Sequence, residues 1–186
     1  MNLVEIIESR RTVHTYNTKI VDNTLVQKAL RCALWAPNHK LTFPWRFIII
    51  GPETRKKLAQ VAADVKAEKT GSPVSATQIL MTEKTYLTPS HMIGLAIVKS
   101  SDPRRMREDY AAMAMGIQNI GLFLWPHQVG TKWSTGAPTM HPRTYEILNV
   151  NPDTTELVGY LWVGYFDETP NTPERPNLIQ FVTEAP

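Results

Sequence analysis

Apolar residues along the chain switch between two spacings, and the switches outline the elements. Leu3, Val4, Ile6 and Ile7 follow Asn2, a residue that caps helices, so a short helix opens the chain. Leu25, Val26, Ala29, Leu30, Ala33 and Leu34 keep the i, i+3, i+4 spacing of an amphipathic helix, which starts near Asp22 or Asn23 and is stopped by Pro37. Arg46–Ile50 is a short β-branched run and predicts a buried strand. Gly51-Pro52-Glu53 opens a third helix that runs to about Lys69. Residues 70–91 are polar and rich in turn formers, which predicts a loop with helical fragments that could act as a lid. Met92–Val98 is the next strand. From Glu108 to Leu124 apolar residues fall on almost every face, so that helix is expected to be buried on most sides, in the domain centre or at a subunit interface. Val129–Trp133 reads as a strand, Pro142–Leu148 as a helix and Leu157–Phe166 as a central strand.

No repeat, linker or low-complexity tract divides these elements, and 186 residues suit one domain with its own core. Helices and strands alternate without a regular βαβ series. The predicted class is α+β, a central mixed β-sheet with helices on both faces. Residues 167–186 carry four prolines around one apolar piece, Leu178–Val182. Such a tail cannot build a core alone and is expected to pack as an arm on a second subunit.

Charge and composition remove several function classes. Twenty basic against 17 acidic side chains leave a net charge of +3, too little and too scattered for nucleic-acid binding. No run reaches the roughly 18 apolar residues of a membrane span, and the first residues lack the pattern of a secretory leader, so the cytoplasm is the expected compartment. The single cysteine, Cys32, excludes an internal disulfide and falls in a helical pattern as a small packing residue. The five histidines share no metal-ligand spacing. Phosphate-binding glycine loops, a nucleophile elbow and a zincin motif are all missing from the sequence. Any chemistry must come from a cofactor or from scattered groups.

Three stretches could hold such a cofactor. Ser9–Tyr16, SRRTVHTY, gathers Arg10, Arg11, Thr12 and His14 at a helix end with no acid among them. Cations are favoured there by the helix dipole, and the arginine fork also matches phosphate. Ala36–Phe47, APNHKLTFPWRF, joins a helix to a strand and carries His39 and Lys40. Gly130–Ala137, GTKWSTGA, offers small residues, hydroxyls and backbone amides at a strand end. A solvated turn, a proline-bounded loop and a glycine-bounded loop are the plain structural alternatives.

Taken in order, and with the terminal VGYLWVG strand, these stretches resemble the nitroreductase family of flavoenzymes over essentially the whole chain, in its small single-domain branch. The resemblance implies an intertwined homodimer with FMN at the subunit interface. Arg10 and Arg11 would hold the phosphate and ribityl side, with Thr12 close by and His14 beside the pyrimidine ring. Trp35 would face the flavin of the other subunit, and His39 would contact FMN. Trp133, Ser134 and Thr135 match the late cofactor-contacting stretch, and Arg175 would add a C-terminal phosphate contact. NADH or NADPH would reduce the flavin, and an electron-poor small molecule such as a nitroaromatic or quinone would then use the same pocket. No side chain is implied as a catalytic acid or base. The same fold also hosts dehalogenation, flavin fragmentation and dehydrogenation, and a non-catalytic flavin-binding dimer. Three departures stand out: Leu41 and Phe43 replace polar residues common in the family, Ser134 replaces an arginine, and His14 replaces a cation whose loss would lower the flavin potential.

Overall fold

The computed structural model describes residues 1–185. Among the described residues seven helices and four strands follow the order α1 (Leu3–Ser9), α2 (Asn23–Ala33), β1 (Trp45–Ile49), α3 (Pro52–Thr70), α4 (Ala76–Leu87), β2 (His91–Val98), α5 (Pro103–Leu124), β3 (Val129–Ser134), α6 (Ala137–Met140), α7 (Pro142–Leu148) and β4 (Thr155–Tyr165). Short 3₁₀ turns occupy His39–Leu41, Trp125–His127 and Leu178–Phe181. The strands form one sheet in the order β1-β2-β4-β3, and every strand pairing is antiparallel. The expected mixed character reduces to one parallel bridge, Thr12 with Thr131 on the outer edge of β3.

The two sheet faces carry separate apolar layers. Ile93, Leu95, Leu161 and Val163 meet Val26, Ala29 and Ala33 of α2 and Met113, Ile117 and Ile120 of α5. On the other face Met92, Tyr160 and Trp162 meet Leu58 and Ala59 of α3 and Tyr86 of α4. β2 lies between both layers, so its apolar run is continuous rather than alternating. Each such side chain contributes about 1.5–3 kcal/mol on burial.

Two expectations change. Residues 76–87 form a full helix, closed at its start by a reciprocal Ser75/Gln78 capping box. Its threonines break the apolar period, yet Thr82 and Thr85 satisfy their hydroxyls on the carbonyls of Gln78 and Met81. α5 begins five residues before Glu108, because Asp102 caps it through the Arg104 amide and Pro103 fits its first turn. Nor is it covered all round: Tyr110 and Met115 remain 41% and 38% exposed in the single chain. The C-terminal residues Leu178, Ile179 and Phe181 are also exposed.

Candidate functional site

α1 ends at Ser9 and the chain turns at Arg10 toward the open edge of β3. Trp125, stacked on Phe166, donates its indole N–H to the Ser9 hydroxyl at 2.9 Å and pins that end of the helix. Arg11 is buried and folds back: its Nη1 donates to the carbonyls of Glu8 and Arg10 at 2.6 and 2.8 Å. Those are orphan acceptors of the helix terminus, so Arg11 works partly as a C-terminal cap. Arg10 has no such employment. Its side chain runs beside Gly121 of α5, where even a Cβ would touch Arg10 Cδ. The Nε atoms of Arg10 and Arg11 are both buried without a hydrogen-bond partner.

Arg175 completes a cluster of like charge. Burial first, then the charges of Arg11 and Arg175, pull the Arg10 guanidinium below its usual pKa. Among the described residues none of the three arginines forms an ion pair. A buried cation without a counter-charge costs several kcal/mol, and an anion placed there would remove that cost. The donor set fits a phosphate: planar forks, an orphaned N–H and the exposed Thr12 hydroxyl group close in sequence.

Beyond Thr12 the chain is fixed by Val13, whose amide donates to the Thr131 carbonyl at 3.1 Å. Val13 sits so close over Gly130 that any side chain at 130 would collide with it. His14 is exposed and lines two cavities, one of about 310 Å³ toward α4 and one of about 570 Å³ toward Asp167 and Glu168.

The β3 residues separate by face. Trp133 packs at 6.0 Å from the Tyr110 ring and donates its indole N–H to the Val158 carbonyl at 3.0 Å. Gly159 allows this seat, since a Cβ there would strike the indole and its φ of +145° disfavours other residues. Ser134 points to the opposite face, where its hydroxyl accepts from the Trp162 indole at 2.8 Å. Thr135 lies just past the strand and is exposed. Lys132 shares the Ser134 face and lines the cavity beside His14. Sequence reading passed over it, although strand alternation pairs positions 132 and 134.

Trp35 follows the end of α2, and His39 lies further along the chain. Trp35 is 82% exposed. His39 sits in the 38–43 loop, 4.0 Å from Glu108 near the start of α5. Arg10 touches Gly121 near the other end. Between Glu108 and Gly121 lies about 20 Å of helix at about 1.5 Å per residue. One chain therefore does not bring His39 to the arginine cluster, whereas the end of α2 just before Trp35 meets α5 at Asn119, through the Cys32 carbonyl.

The loop itself is tightly built. Lys40, Leu41 and Phe43 have φ values of 55°, 51° and 47°, a costly region for side-chain-bearing residues. Asn38 donates to the Thr42 hydroxyl at 2.9 Å and accepts from the Phe43 amide at 2.8 Å. Thr42 in turn donates to the buried carboxylate of Asp109 on α5.

The model of the nitroreductase family matches residues 7–165, which takes in the arginine turn, the 38–43 loop and all four strands. The chain belongs to the nitroreductase family. Its relatives include the Bacillus subtilis protein YfhC, provisionally named an NAD(P)H nitroreductase, at 29% identity over 98% of this chain and 93% of that protein. A nitroreductase-like family protein from Bacillus cereus superposes with a TM-score of 0.86 at 26% identity, covering 100% of this chain and 96% of the other. The NADPH:FMN oxidoreductase from Vibrio harveyi, solved with NAD+, gives a TM-score of 0.79 over 99% of this chain and 77% of its own; at 14% identity it attests the nitroreductase fold alone. Among the described residues of this nitroreductase-family chain, no helix is long and apolar enough to cross a membrane.

Proposed function

We propose that this nitroreductase-family chain binds FMN and oxidises NAD(P)H, passing the electrons to an electron-poor small molecule such as a nitroaromatic or quinone. The carrying observation is the cluster of Arg10, Arg11 and the exposed Arg175, in which the Nε atoms of Arg10 and Arg11 are buried without a partner and none of the three pairs with a carboxylate among the described residues. Bound FMN would supply the redox chemistry, and the protein would supply binding, orientation and field. Arg10 grips the phosphate with its free fork, Arg175 adds a second cation from the C-terminal segment, and Arg11 holds the turn while offering its remaining donors. Thr12 adds a hydroxyl. Ser134 and Thr135 line the path along β3, and His14 stands beside the ring. Trp133 acts one layer behind, since its indole N–H is already bound to the Val158 carbonyl.

The working unit is a homodimer in this reading. Trp35 and His39 of one copy reach the cluster of the other; for His39, the separation along α5 requires a second copy if it is to touch that ligand. The exposed Tyr110, Met115 and Trp35 supply apolar surface for that contact, and the C-terminal residues past Arg175, as far as residue 185, serve as the arm that packs on the second copy.

The test is the visible absorption spectrum of the purified protein before and after anaerobic NADPH. Flavin bands that bleach support the reading. Bands that persist with both NADPH and NADH would overturn the reductase role. No bands after incubation with FMN would overturn the cofactor assignment as well.

A further inference from the structure

Residues 17–22 form a strap between the arginine turn and α2, and a buried histidine stands at its far end. At the near end the Asn17 amide donates to the Tyr165 carbonyl at 2.9 Å. At the far end Val21 is fully buried, and its amide donates to the Ser90 hydroxyl at 2.7 Å. From Ser90 the hydrogen bonds continue through the His91 ring: Nδ1 lies 3.0 Å from the Ser90 hydroxyl, and Nε2 lies 2.8 Å from the side-chain oxygen of Asn23 at the start of α2. That oxygen only accepts, so the neutral ring carries its proton on Nε2 and leaves Nδ1 to accept from Ser90. Every donor in the chain then has an acceptor. A second proton on the ring reverses one link, because Nδ1 and the Ser90 hydroxyl would both donate. The hydroxyl would have to turn away, and the buried Val21 amide would share or lose its partner.

The sheet side of this chain is fixed. Arg55 of α3, itself buried, donates to the carbonyls of Ile50, Pro89 and Ser90 at 3.0, 2.7 and 3.0 Å. It also sets a positive charge near the ring. On the strap, Lys19 is exposed, and the Asp22 carboxylate is occupied by the amides of Thr24 and Leu25. Across β2 the strand neighbour of His91 is the uncharged Val163. Among the described residues His91 forms no ion pair. Burial, then the Arg55 charge, hold it below its usual pKa. The strap side has room: Thr18 and Ile20 share a cavity of about 370 Å³ with Ser90 and His91.

We propose that His91 is an acid-sensitive latch: neutral, it holds the strap through Ser90 and Asn23, and protonated it releases the strap and uncouples the arginine turn from α2. The latch is independent of what the arginine cluster binds, so it stands or falls apart from the functional reading above.

Hydrogen–deuterium exchange of the full-length protein, read peptide by peptide between about pH 7.5 and 5 and corrected for the intrinsic effect of pH, tests it. Protection of the strap should fall up to about tenfold per pH unit between 6.5 and the folded value of His91, while the sheet keeps its protection. His91→Gln should remove that dependence. Asn23→Asp should also remove most of it, by the opposite route: a carboxylate on Nε2 stabilises the protonated ring, and an acid suits the start of a helix. Asn23 is exposed, so this variant keeps the test open if His91→Gln folds poorly. Strap protection that ignores pH, or an acid response that survives either substitution, would overturn the proposal. Equal loss of protection across the sheet and the strap would overturn it too, since acid would then be unfolding the whole domain.

Discussion

The two ends of α5 are incomplete in opposite ways. At Gly121 the arginine cluster has charge without a partner. At Glu108 and Asp109 the 38–43 loop is bonded inward through Asn38 and Thr42 and shows apolar residues outward: Leu41 is 67% and Phe43 58% exposed. The first end presents unpaired cations and the second exposed apolar side chains. In the proposed dimer one arrangement would answer both, a second copy that places its loop over an anion held on the cluster.

Removing the charged end should have the largest effect. Arg10→Ala should weaken FMN binding about 100-fold, the scale of losing a charge-assisted fork. The ligand-free protein should unfold at the same temperature or slightly higher, since the variant deletes an unpaired, half-buried charge flanked by like charges. Equal losses in flavin affinity and in ligand-free stability, read by fluorescence and thermal melts, would erase the contrast between the ends.

The loop end should respond through stability. Asp109→Asn keeps the volume but weakens the anchor of Thr42, and should cost about 1–3 kcal/mol in chemical denaturation. A smaller loss would mean the left-handed loop is held by something other than α5. Trp35→Ala should leave the monomer intact and raise the dimer dissociation constant about tenfold, as truncating an interface aromatic does. Sedimentation at several concentrations reads this directly, and an unchanged constant would remove Trp35 from the interface.

The smallest effect lies away from both ends. Burial, and then the Arg55 charge, hold His91 below its usual pKa of 6.5. The unfolded chain therefore takes up a proton at His91 before the folded one does. Stability should fall as pH drops below 6.5 and level off below the folded value. His91→Gln should flatten that slope in pH-dependent melts.

Periodicity located most helices and strands because their apolar positions follow one face. It failed at α4, where threonines interrupt the period and the helix is declared only by its capping box. The loop strain was illegible, since Lys40, Leu41 and Phe43 are not residues that announce a left-handed backbone. At the site, the donors Arg10, Arg11 and Thr12 could be read from their types. The division of labour could not: that Arg11 turns back to cap α1 depends on the direction of its side chain. Lys132 was hidden for a related reason. One lysine between a threonine and a tryptophan carries no motif, and only its register opposite Trp162 gives it meaning.

The unpartnered arginines also bear on how long the protein persists in a cell. A protein whose folded form alone binds an anion is stabilised by about 2.7 kcal/mol when the free ligand is at 100 times its dissociation constant. Chaperones and proteases act on the unfolded fraction, so a difference of that size changes steady-state abundance several-fold. With the proposed cofactor at Arg10, the turn would tie the amount of protein to the supply of the molecule that fills it.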